Sequence, residues 1–124
     1  MKEVWLESAT EDLIKAKKKF EIGDYKGACI YARISASKSV FSKLSDLAGF
    51  SYKDDLKSLY EDLKSVSIDD EEIHEAVAFL SRFILYDDIM TPYVVEKWEG
   101  LPTHEDGEKA LLFAEKLLQK FKTR

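Results

Sequence analysis

The sequence is poor in residues that interrupt regular structure: its 124 residues include two prolines and five glycines. That scarcity excludes collagen-like and Pro/Gly-rich low-complexity chains. A single cysteine, Cys29, excludes an internal disulfide framework. No apolar run approaches the ~18 residues that a spanning helix requires. The opening Met-Lys-Glu-Val-Trp-Leu-Glu also lacks the apolar stretch of a secretory signal. These features lead us to expect a cytoplasmic protein with no membrane partner. Positive charge is in deficit as well, 19 Lys and Arg against 24 Asp and Glu, for a formal charge of −5. A chain of that sign has no global drive to coat nucleic acid, so any such contact must be local. What remains is 45% hydrophobic residues, enough for one compact domain over residues 1–124 but not for two.

Hydrophobic periodicity predicts helices throughout. Trp5, Ala9, Leu13, Ala16 and Phe20 recur in steps of three and four, which places them on one face of a first helix. Gly23 suits its left-handed end, and Asp24 is an N-cap for a second helix over about Tyr25 to Leu47. That helix carries two stripes. Ala28, Cys29, Ala32, Ala36 and Val40 form one; Ile30, Ile34, Ser37 and Phe41 form the other, so it belongs at the centre of a bundle or at a subunit contact. A third helix runs from about Asp54 to Val66, with Ser51 and Asp54 as a capping box. In the fourth, Asp69 is the expected N-cap, with Glu72 completing the box and Ile68 stapled to Ile73. A connection of about twenty residues separates Tyr86 from Asp106, and within it Thr91 and Pro92 open a short helix to about Trp98. The last helix begins at Thr103, with Asp106 in the box position. With no alternating strand pattern, the expected fold is all-α, an up-and-down bundle of four to five helices.

Few positions could carry chemistry. On helix four, Ile73, Val77, Leu80 and Ile84 mark the core side, and Arg82 falls almost opposite, framed by Phe79, Phe83 and Tyr86. An arginine among aromatic rings fits a ligand cleft or an intermolecular contact; an ordinary surface pair with Glu75 fits equally well. Asp87 and Asp88 oppose the helix dipole and could cap the next segment, pair with Arg82 or hold a cation, the first two being better supported. His74 lies among acids, but no second His or Cys stands at helical ligand spacing, so no metal site is expected. Cys29 reads as a buried structural thiol, having no basic neighbour to activate it. The cations at Lys15, Lys17, Lys18 and Lys19, and at Lys116, Lys120, Lys122 and Arg124, sit where they complement helix dipoles, which accounts for them without a phosphate partner. No Gly-rich phosphate loop or serine nucleophile elbow is present, and nothing calls for a cofactor.

Taken in order, Trp5, Ala9, Asp12, Leu13, Ala16, Phe20, Gly23, Asp24, Tyr25, Ala28, Cys29, Ala32, Ala36 and Lys38 resemble the opening of HEPN domains, a family named for nucleotide binding in higher eukaryotes and prokaryotes. The likeness resumes at Leu80, Ser81, Arg82 and Phe83, followed by Tyr86, Asp87 and Asp88. The resemblance implies an up-and-down bundle that forms a homodimer and is often encoded beside a minimal nucleotidyltransferase in toxin–antitoxin-like pairs. Many such proteins are metal-independent ribonucleases. It also implies a ligand-binding cleft of Arg82, Tyr86, Asp87 and Asp88 for nucleotide or RNA. Family nucleases place a histidine after four to six residues beyond the arginine; from Arg82 those places hold Asp87, Asp88 and Ile89. An ionised aspartate only accepts hydrogen bonds and repels a phosphodiester, whereas imidazole can donate a proton. The expected protein is therefore a non-cleaving HEPN member. The alternatives are a ribonuclease toxin using Arg82 with another group in place of histidine, and a helical module that only presents a surface to a partner.

Overall fold

The computed structural model describes residues 2–83 and 102–123. Five helices make up these residues: α1 (Lys2–Glu21), α2 (Tyr25–Leu44), α3 (Leu56–Ser65), α4 (Glu71–Leu80) and α5 (His104–Thr123). No strand occurs among them, so the all-α bundle holds. The expected short helix from Pro92 to Trp98 lies outside the described residues.

Helix α1 ends as its sequence dictates. Gly23 adopts φ +82°, the Gly23 amide donates to the Phe20 carbonyl at 3.0 Å, and the Asp24 amide donates to the Lys19 carbonyl at 2.9 Å. This pair of bonds satisfies the last carbonyls of α1, and the left-handed residue between them is one that glycine adopts without a Cβ penalty. Asp24 then caps α2, accepting from the Gly27 amide at 2.8 Å. The reversal takes three residues and sets α1 directly against α2.

Helix α2 is the centre of the bundle, touching each of the other four helices. Its small residues explain how. Ala28, Ala32 and Ala36 are fully buried, and so are Ser35, Ser37, Ser39 and Ser42. Three of these serines bond main-chain carbonyls: Ser35 donates to Ala9 of α1 at 2.7 Å, Ser39 to Ser35 at 3.0 Å, and Ser42 to Ser39 at 2.6 Å. Burying a hydroxyl without such a partner would be unfavourable. A charged pair is buried in the same interface: Lys38 Nζ lies 2.7 Å from Asp12 Oδ2 of α1 and donates to Ser8 Oγ at 2.8 Å. The apolar centre is completed by Leu44, Leu56, Leu59, Leu63, Ile73, Leu80, Leu117 and Phe121.

Three expected boundaries need correction. Helix α2 ends at Leu44 rather than Leu47, because the chain turns at Ser45 and reaches φ +94° at Gly49. Helix α3 is capped by Asp55, which accepts from the Ser58 amide at 3.4 Å and its hydroxyl at 2.7 Å, so Ser51 and Asp54 form no capping box. Those bonds to the charged form hold the Asp55 carboxyl below its usual range, with the Ser58 hydroxyl contributing most. Asp54 turns instead to buried Arg33, at 3.2 Å. Helix α4 is capped by Asp70, which accepts from the Ile73 amide at 2.8 Å, because the neighbouring Asp69 accepts from the buried Tyr60 hydroxyl.

The start of α5 is as expected. Thr103 and Asp106 exchange bonds, the Thr103 amide donating to Asp106 Oδ2 at 3.0 Å and the Asp106 amide donating to Thr103 Oγ1 at 3.1 Å. Thr103→Ala should remove one of the two and lower stability by about 1 kcal/mol. A denaturant midpoint unchanged from wild type would contradict that role.

Candidate functional site

Helices α4 and α5 run antiparallel. Lys120, late in α5, lies 2.9 Å from Asp70 and 3.8 Å from Glu72 at the start of α4, while Phe113 lies beside Phe79 with ring centroids 5.3 Å apart. Ile73, Ala76, Val77 and Leu80 face the core. The opposite edges of the two helices bound a groove of about 660 Å³ lined by both, with Arg82 at one end. That volume is within the usual range for small-molecule sites.

Arg82 is exposed and follows the last turn of α4. Its guanidinium carbon lies 4.5 Å from the centroid of the Phe79 ring, a cation–π contact that holds a mobile side chain in place. Phe79 in turn meets Phe83 edge-on at 5.4 Å. Among the described residues no carboxylate lies within ion-pair distance of Arg82, so the Glu75 pairing that sequence left open is not formed. Two more cations line the groove. Lys116 sits over Phe113 at 5.9 Å, and Lys109 lies 3.8 Å from Glu105, both groups being exposed. Such an exposed pair holds its charges weakly. Glu71 and Glu75 supply the negative charge of the same groove. Its chemistry is therefore two aromatic rings, three cations and two carboxylates, suited to a ligand with both anionic and flat parts.

The HEPN domain model matches residues 2–124. The chain belongs to the HEPN domain family. The fold of this HEPN chain also resembles that of a solved structure described as the crystal structure of TT1696 from Thermus thermophilus, with 23% sequence identity, a TM-score of 0.75, and coverage of 98% of this chain and 96% of that one. No curated protein matches it.

The remaining candidates of the HEPN chain divide by location. Tyr86, Asp87 and Asp88 lie outside the described residues. His104 lies away from the groove, its ring tilted against Phe20 at 4.8 Å and edge-on to Tyr25 at 5.3 Å. Cys29 is fully buried, and burial, with a smaller contribution from the Asp106 carboxylate, pushes its thiol up to about 12. A thiol so perturbed is no nucleophile at neutral pH. Of the α1 lysines, Lys17 pairs with Glu115 at 3.6 Å, Lys19 with Asp24 at 3.8 Å, and Lys15 lies 5.8 Å over Tyr31. Among the described residues no group of three His, Cys, Asp or Glu is gathered to hold a metal ion. No helix among them is long and apolar enough to cross a membrane.

His74, weighed from sequence only as a metal ligand, belongs to the groove. His74 lines the same wall as Arg82, and its Nδ1 lies 3.2 Å from the Tyr60 hydroxyl. The signal was present as spacing: His74 and Ala78 of α4 and Arg82 just beyond it follow at steps of four.

Proposed function

We propose that this HEPN domain binds nucleotide or RNA along the α4–α5 groove, with Arg82 on phosphate, and does not cleave it. The observation that carries this reading is an exposed arginine held on an aromatic ring, without a carboxylate partner among the described residues, beside Lys109 and Lys116. Guanidinium groups left in that state pair readily with phosphate oxygens. Tyr86, Asp87 and Asp88, which the family resemblance groups with Arg82, would contribute to the site. The absence of histidine at Asp87, Asp88 and Ile89 supports binding rather than cleavage. The protein would act as a homodimer, in which two copies bring together positive charge that a chain of net −5 lacks. A minimal nucleotidyltransferase, in a toxin–antitoxin-like pair, is the partner the family membership favours.

Calorimetric titration of the protein with AMP and with a short single-stranded RNA tests the reading. Arg82→Ala should weaken RNA at least tenfold, and wild-type affinity should fall as salt is raised. Unchanged affinity in the variant would overturn the role of Arg82. Incubating the protein with RNA in the absence of metal separates binding from the ribonuclease reading: cleavage that disappears in Arg82→Ala would establish the enzyme.

A further inference from the structure

The hydrogen bonds behind His74 determine where its proton sits. Asp69 is exposed and acceptor-only when ionised. The Tyr60 hydroxyl, on a side chain buried to 5% exposure, donates its single proton to Asp69 Oδ1. Burial, then the bond to Asp69, pushes the phenol up to about 12, so that proton stays in place at neutral pH. Toward His74 the same oxygen can then only accept, and the atom it meets is Nδ1 at 3.2 Å. Nδ1 must carry the imidazole proton of the neutral ring. Nε2 is left as a bare lone pair, with no protein partner among the described residues, on a ring that lines the groove.

We propose that Asp69 and Tyr60 position His74 as a hydrogen-bond acceptor that reads a hydroxyl donor of the bound ligand, the ribose 2′-hydroxyl of an oligoribonucleotide. The inference rests on the groove being a nucleotide or RNA site. His74 stands within α4, backed by Tyr60, whereas Arg82 follows the last turn of the helix with its guanidinium laid over Phe79. That arrangement sets the two groups at separate points of the groove wall. It also assigns the two residues different tasks. Arg82 meets the backbone charge, which RNA and DNA share, while a fixed acceptor distinguishes the sugar that has a hydroxyl to donate.

Two measurements on the full chain test this. Nitrogen-15 NMR of the free protein should show neutral His74 protonated at Nδ1, with Tyr60→Phe shifting it toward the Nε2 form. Independently, a short single-stranded RNA should bind at least fivefold more tightly than DNA of the same sequence. His74→Phe, which keeps a ring in the wall, and Tyr60→Phe should each bring that ratio toward one. A ratio cancels any general loss of folded protein. Protonation at Nε2 in the wild type, a wild-type ratio near one, or a ratio unchanged in His74→Phe would each overturn the proposal. If Arg82→Ala weakens RNA and DNA alike while the ratio ignores His74, the groove stands and only the hydroxyl reading fails. If neither nucleic acid binds, both fail.

Discussion

Lys38→Ala is expected to lower the stability of the domain by about 3–5 kcal/mol, because it strands a carboxylate inside the α1–α2 interface. The Asp12 side chain retains 8% of its exposure and that of Lys38 21%. The asymmetry gives an ordering. With Lys38 gone, the Asp12 carboxylate loses its ion-pair partner while keeping only 8% of its exposure to water. With Asp12 gone, a lysine stem can extend and carry its ammonium outward, still bonded to Ser8. Asp12→Ala should therefore be milder than Lys38→Ala, and the double change Asp12→Ala with Lys38→Ala milder than the sum of the single ones. Urea unfolding of the four proteins supplies the cycle. A Lys38→Ala variant within ~1 kcal/mol of wild type would mean that water reaches Asp12 and that the pair is a surface feature.

That pair also shows what sequence could and could not convey. Asp12 and Lys38 both belong to the pattern that resembles HEPN domains, yet nothing in their spacing says that they meet: they sit on different helices, and their contact depends on how α1 folds back at Gly23. Helices and their buried faces were legible because periodicity and local capping are properties of a few neighbouring residues. Asp24 and the Thr103–Asp106 box are cases in which no adjacent aspartate competes for the cap and the local rule holds. Where two adjacent aspartates could both cap, at Asp69 and Asp70 and again at Asp54 and Asp55, the choice was made by distant groups, Tyr60 and Arg33, that no local pattern contains. The same reason separates the two candidate residues of the groove. Arg82 was found because its place at the end of α4 and the aromatic residues around it are local. His74 became meaningful only once Tyr60 of α3 was seen to turn its ring, and Lys109 and Lys116 joined the site only through the antiparallel packing of α5.

Phe121→Ala and Phe113→Ala, the same chemical change made eight residues apart on α5, should have opposite consequences. Phe121 is fully buried beneath α5, and removing its ring should cost about 3–5 kcal/mol through lost contacts and the cavity left behind. A domain of this size commonly has only ~5–15 kcal/mol in total, so the variant should melt well below wild type. Binding should persist wherever it remains folded, since Phe121 does not line the groove. Phe113 is half-buried and stands between Phe79 and Lys116 in the groove wall. Its loss should reduce stability less, while removing a surface on which a base can stack, worth about 1–3 kcal/mol per base, or roughly five- to 150-fold in affinity. Melting curves and RNA titrations at a temperature where both variants are folded give the comparison. Should Phe121→Ala abolish binding in a folded protein, or Phe113→Ala leave it intact, the ligand does not lie between α4 and α5. An affinity loss confined to Phe113, reproduced by Arg82→Ala, would place base and phosphate on adjacent parts of one groove, the arrangement in which a −5 chain binds an anion through local geometry instead of overall charge.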